Sequence, residues 1–178
     1  MTDKHHSARV RIVRPFATVA SVALLVFTGL GISAFVGPAA ANSATRAAPS
    51  PGSLGAAEAV VREKGYRPYS NAGWDGPSTL KVILGTVSIS VDGYSNRAFF
   101  FANGNFVGTD TSTDSAGITA LGAVGDTVTL SYQLYNPADP MCCPTASTAT
   151  VRYHWTGSGL VPLDKVPSPD WAAIPSRR

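Results

Sequence analysis

Cysteine is nearly absent. The 178-residue chain has two, Cys142 and Cys143, and they are adjacent. Two sulfur donors fall short of the four that a structural zinc site needs. Histidine is equally scarce, and His154 is the one that remains beyond the first 41 residues. There is no His-Glu-x-x-His, no Gly-x-Ser-x-Gly and no Gly-rich phosphate loop at a strand–helix junction. Charge is low, at 14% of residues. The formal net charge of +3 comes from Lys4, Arg9, Arg11 and Arg14, less Asp3. From Asn42 onward ten basic residues face ten acidic ones, and within 54–166 the count is seven against nine. A nucleic-acid binder carries a basic stripe, and this chain has none. These absences imply no nucleic-acid partner, no cofactor, no metal site and no recognisable catalytic constellation.

What the chain does have is 13 prolines and 17 glycines, which suits a turn-rich domain better than a helical bundle. One long apolar run stands near the start. After a basic stretch, Phe16 to Val36 carries no charge, Gly37-Pro38 breaks the run, and Ala39-Ala40-Ala41 follows. This is the layout of a secretory signal peptide over residues 1–41, cleaved after Ala41. The alternative is an uncleaved anchor, because a helix of that length spans ~30 Å of hydrocarbon. Gly29, Gly31 and the small-residue site favour cleavage. Either way the remainder is extracytoplasmic, and membrane contact is confined to residues 16–36 if they are retained.

Residues 42–53 read as a flexible linker. Ser53 is a suitable N-cap for a helix starting at Leu54, Gly65 is its C′ residue, and Leu54, Ala57 and Val61 share one face. Residues 66–78 are loop by composition, with Tyr66, Tyr69 and Trp74 expected to lie over the core edge. Leu80, Val82 and Leu84 alternate on one face and Val87, Ile89 and Val91 on the other, which predicts a bulge or break at Gly85-Thr86. Asn103-Gly104 between apolar runs predicts a type I′ hairpin. It sets Ala102 opposite Asn105, Phe101 opposite Phe106, Phe100 opposite Val107 and Phe99 opposite Gly108. Three consecutive Phe, 99–101, predict a strand covered on both faces.

Asp110, Ser112 and Asp114 have the spacing of the first calcium-loop ligands, but Ser115 and Leu121 stand where that loop needs Gly and Glu. A solvated turn over 109–119 is expected instead. Val128, Leu130, Tyr132 and Leu134 alternate with Thr127, Thr129, Ser131 and Gln133, and Ala149 to Trp155 alternates likewise, so two half-buried antiparallel strands follow. Pro162 makes the last strand an edge or a frayed end. Residues 167–178 are expected to be a loose tail on which Trp171 and Ile174 are the residues able to dock. The sum is an α+β domain over 54–166, a short helix packed on a mainly antiparallel sheet of five or six strands around one apolar layer.

The cysteine pair sits between Pro140 and Pro144. Consecutive Cα atoms lie ~3.8 Å apart, below the usual range for a disulfide, so a bond would close a strained eight-membered ring. A vicinal disulfide, two thiols and cross-links between chains all remain open. The plainest role is a tight corner joining two strands. A Cys–His dyad with His154 lacks a helix N-terminus or a positive charge to activate the thiol.

The blocks AFFFANGNFVGTDTS (98–112), DTVTLSYQLYNPADPMCCPT (126–145) and TATVRYHWTGSGLVPLD (148–164) resemble the LppP/LprE lipoprotein family of actinobacterial envelopes. The resemblance runs from about Leu54 to Pro167. It implies an extracytoplasmic domain of undefined biochemical function and supplies no catalytic residues. The chain departs from the family's name in lacking a lipobox cysteine. The expected function is a non-catalytic binding or structural domain with an envelope or extracellular partner. The alternative is a thiol/disulfide-dependent redox or ligand-sensing protein working through Cys142 and Cys143.

Overall fold

A computed structural model describes residues 48–178. The expected signal or anchor and the first half of the 42–53 linker lie outside these residues. Among the described residues no helix is long and apolar enough to cross a membrane.

The first element is helix α1 (Leu54–Glu63). Ser53 Oγ accepts from the Ala56 N–H at 3.2 Å. Gly65, with φ of +85°, closes the other end by donating to Arg62 O at 2.9 Å. Both caps agree with the sequence. Eight strands follow: β1 (Tyr66–Ser70), β2 (Leu80–Val87), β3 (Asn96–Ala102), β4 (Asn105–Thr109), β5 (Ile118–Val124), β6 (Thr127–Tyr132), β7 (Ala149–Trp155) and β8 (Leu160–Pro162). They form two four-stranded antiparallel sheets, β1-β2-β3-β4 and β5-β6-β7-β8.

The single expected sheet is therefore corrected to two, and the five or six expected strands to eight. The two extra strands are β1 and β5. In β1, Pro68 has no N–H to give a ladder, but β1 is an edge strand where that is tolerated. In β5, Ala and Gly give little apolar alternation to read.

Two apolar layers result. Leu80, Val82 and Leu84 of β2 and Phe100 of β3 meet Val128, Leu130, Tyr132, Val151 and Tyr153 between the sheets. Ile83, Phe99 and Phe101 point the other way, against Ala57 and Val61 of α1 and against Tyr66 and Trp74. The Phe triplet is thus covered on both faces, as its composition predicts. Each buried ring stabilises the fold by roughly 1.5–3 kcal/mol relative to exposure. Trp74 lies edge-on to Phe101 with centroids 5.5 Å apart, covering the core edge as expected.

The phase slip at Gly85 has a different cause from a bulge in its own strand. Strand β2 runs unbroken to Val87, and the irregularity lies in β1, between Pro68 and Ser70. Gly85 faces the helix. A Cβ there would stand 3.0 Å from both Tyr66 Cβ and Val61 Cγ1 and 3.2 Å from a Phe99 ring atom. Ile89 and Val91 are not strand residues and lie exposed in the β2–β3 turn.

The hairpin turn forms at Asn103-Gly104, with φ of +50° and +80°. Its first two pairs, Ala102↔Asn105 and Phe101↔Phe106, match the expected register. The next two do not. A bulge slips the ladder so that Phe100 faces Gly108 and Phe99 faces Thr109. Gly108, at φ of +146°, supplies the backbone freedom that the bulge requires.

Candidate functional site

The loop that carries Cys142 and Cys143 leaves β6 at Tyr132 and enters β7 at Ala149, two residues paired across the ladder. Its sulfur atoms are joined as a vicinal disulfide, and both residues are exposed. The loop around them is organised by noncovalent contacts. The Asp139 carboxylate accepts from the Asn136 N–H at 2.7 Å, the Thr145 N–H at 2.8 Å and the Thr145 hydroxyl at 2.7 Å. Those donors, the Thr145 backbone first, hold its carboxyl below the usual carboxylate range. The Tyr135 hydroxyl donates to Met141 O at 2.9 Å, and the Cys143 N–H donates to Pro140 O at 3.0 Å.

A second clamp comes from the end of the chain. Residues 167–178 are expected from composition to be loose, with Trp171 and Ile174 as the docking side chains. The structure shows a held tail, and the side chains it buries are not those two. Trp171 and Ile174 are 59% and 78% exposed, whereas Ser176, Arg177 and Arg178 are buried. Tyr135 and Ser176 exchange backbone hydrogen bonds of 2.8 and 2.9 Å. The Arg178 guanidinium donates to Asn136 O and Asp139 O at 2.6 Å and to Pro137 O at 2.9 Å. It also lies over the rings of Tyr135 and Trp171, at 5.1 and 4.7 Å. Arg177 donates to Asp114 O at 2.9 Å, Thr113 O at 3.2 Å and the Ser115 hydroxyl. Loop carbonyls removed from water need donors, and one guanidinium offers five. The arginines are thus anchors rather than solvated charges.

The 109–119 segment is also more structural than a solvated turn. Asp110 is 9% exposed. Its carboxylate accepts from the Ala98 N–H at 3.0 Å and from the Tyr132 hydroxyl at 2.7 Å, and Tyr132 lies 2.8 Å from the Tyr153 hydroxyl. Desolvation pushes the Asp110 carboxyl above the usual carboxylate range, against the lowering effect of Tyr132. Burial likewise pushes Tyr132 far up and Tyr153 up to about 12. Asp114 points elsewhere. It accepts from the Tyr66 hydroxyl at 2.7 Å and pairs with Arg97 at 2.7 Å. The calcium-like spacing therefore does not gather its carboxylates. Among the described residues no cluster of three His, Cys, Asp or Glu could hold a metal ion. This cross-sheet chain was missed in the sequence. The available signal was two tyrosines at inward positions, since a buried hydroxyl needs a partner.

His154 does not meet the cysteines. It pairs with Thr127 at the far end of β6 and β7, its Nδ1 lying 3.2 Å from the Thr127 hydroxyl. Ala149 and His154 are five residues apart along β7, about 16 Å of strand. Asp164 receives Arg152 bidentately at 2.9 Å. The pairing holds its carboxyl down to about 2.

The β3–β4 hairpin, the cysteine loop and β7 all fall inside one match to a family model. Residues 72–158 match that of the LppP/LprE lipoproteins. Over that segment the chain is similar to this family. The match is shorter than the Leu54–Pro167 span that the sequence blocks suggest: α1, β1 and β8 lie outside it. The chain matches no curated protein and no solved structure. The match points to an envelope-associated protein.

Proposed function

We propose that the protein is a non-catalytic domain acting outside the cytoplasm, at the cell envelope or after secretion, in a binding or structural role. The match of residues 72–158 to the LppP/LprE family supports the envelope location. One observation carries the non-catalytic part. Five ionisable side chains are each held by a separate structural partner: Asp110 by Tyr132, Asp114 by Arg97, Asp139 by Thr145, Asp164 by Arg152, and His154 by Thr127. None of these pairs converges with another on a cleft where a nucleophile, a base and an oxyanion donor stand together. A screen of the purified protein against hydrolase and oxidoreductase substrates tests the proposal. Turnover that disappears in His154→Ala would overturn it.

A second reading is favoured by the exposed, bonded pair Cys142–Cys143. It is a thiol/disulfide-dependent redox or ligand-sensing protein. Under either reading the mature N-terminus decides the attachment. A mass beginning at Asn42 means release, and an intact start in the membrane fraction means an anchor at residues 16–36.

A further inference from the structure

Resting on that second reading, we propose that Cys142 and Cys143 are a reversible two-electron exchange site for small thiols, one that opens and closes within an intact loop. Three observations lead there. First, the bond does little for the fold. A disulfide stabilises chiefly by closing a long loop in the unfolded chain, and one between neighbours closes almost none. Second, the loop keeps its shape by other means: three donors on Asp139, the Tyr135 hydroxyl on Met141 O, and the Arg178 guanidinium on three carbonyls. None of these contacts uses a sulfur atom. Third, both cysteines are exposed, so a thiolate from solution can reach either sulfur.

The exchange balances without any further group. A small thiolate attacks one Sγ, the Sγ–Sγ bond breaks, and its electron pair leaves on the neighbouring sulfur, which takes a proton from water. A second small thiolate then attacks the small-molecule sulfur of the mixed disulfide, that S–S bond breaks, and the cysteine sulfur leaves with the electron pair and takes a proton. The net change is one protein disulfide plus two small thiols to two cysteine thiols plus one small-molecule disulfide. In the reverse direction the adjacent cysteine is the resolving group. It lies in the same loop, and the chain has no other cysteine to compete. Mixed disulfides are therefore expected to resolve rather than to accumulate.

The test uses protein recovered from the cells that export it. It is treated with dithiothreitol under native conditions, alkylated at neutral pH and weighed intact. The expected result is no alkylation before reduction, two alkyl groups after it, and unchanged near-ultraviolet circular dichroism with a melting shift of a few degrees at most. Oxidised glutathione should then return a mass two hydrogens lower, with no glutathione adduct. Labelling that appears only in denaturant, loss of cooperative melting on reduction, or persistent adducts or linked dimers would each overturn the proposal. The double variant Cys142→Ser with Cys143→Ser should melt like the reduced protein and take no label. Failure of the broader sensing reading is distinct: a pair that exchanges in vitro yet never changes state in the host removes the sensor and leaves the site.

Discussion

The Tyr132 hydroxyl lies 2.7 Å from the Asp110 carboxylate, inside the apolar layer between the two sheets. One residue belongs to the second sheet, and the other follows the last strand of the first. The carboxylate also accepts from Ala98 of β3, so a single buried group ties both sheets. Tyr132→Phe keeps the ring and removes the donor. Leaving a buried acceptor short of a partner costs about 1–3 kcal/mol. Urea unfolding of the variant beside wild type measures it, and equal midpoints would mean that Tyr132 contributes only its ring.

The same carboxyl predicts a pH dependence. Desolvation raises its pKa in the fold, with the Tyr132 hydroxyl and Arg177 opposing. The folded chain therefore holds this proton more tightly than the unfolded chain does. The stability contributed is fully present below the ordinary carboxylate pKa of ~3.9 and is lost as pH rises through the raised folded value. Relative to Asp110→Asn, which cannot titrate, wild type should lose stability as pH rises from ~4 towards neutrality. Parallel pH profiles for the two proteins would contradict the raised pKa.

Gly85 is a spacing residue between β2 and α1. A methyl group there would meet Tyr66 and Val61 at 3.0 Å, so something must move. Gly85→Ala should cost about 1–3 kcal/mol, the usual cost of overpacking, and loosen the helix first. Thermal melting and hydrogen exchange in residues 54–63 would show it. An unchanged melting temperature would mean that α1 yields freely.

Gly104→Val should also destabilise the domain, for two reasons. The residue has φ of +80°, where a β-branched side chain is strained by roughly 1 kcal/mol or more. A Cβ would also stand 2.5 Å from Gly52 Cα, a backbone atom that cannot rotate away. The expected result is a lower melting temperature at normal expression. Unchanged melting would contradict both the turn and the close approach.

Much of this was legible where one segment's own pattern decides the outcome. The Ser53 and Gly65 caps, the parity of Val128, Leu130 and Tyr132, the Asn103-Gly104 turn and the two-sided Phe triplet depend on local geometry alone. What stayed hidden depends on partners distant in the chain. Gly85 looked like a strand break because the helix packed on it is invisible in β2. The Gly108 bulge could not be counted before the ladder was known. The 167–178 tail read as loose because the acceptors of Arg177 and Arg178 are carbonyls of two separate loops, which no sequence pattern marks. The cysteine pair was plain to see, but the clamps around it, Asp139 and Arg178, emerged only from the fold.

The most direct measurement compares amide hydrogen exchange across residues 133–148 in oxidised and reduced protein. The account holds that Asp139, Tyr135 and Arg178 fold this loop and that the disulfide does not. It predicts that the amides of Asn136 and Thr145, both bonded to Asp139, keep their protection after reduction. In Arg178→Ala, by contrast, protection across the loop should fall. Loss of protection at Asn136 and Thr145 on reduction alone would contradict it and make the Cys142–Cys143 bond the element that holds the loop.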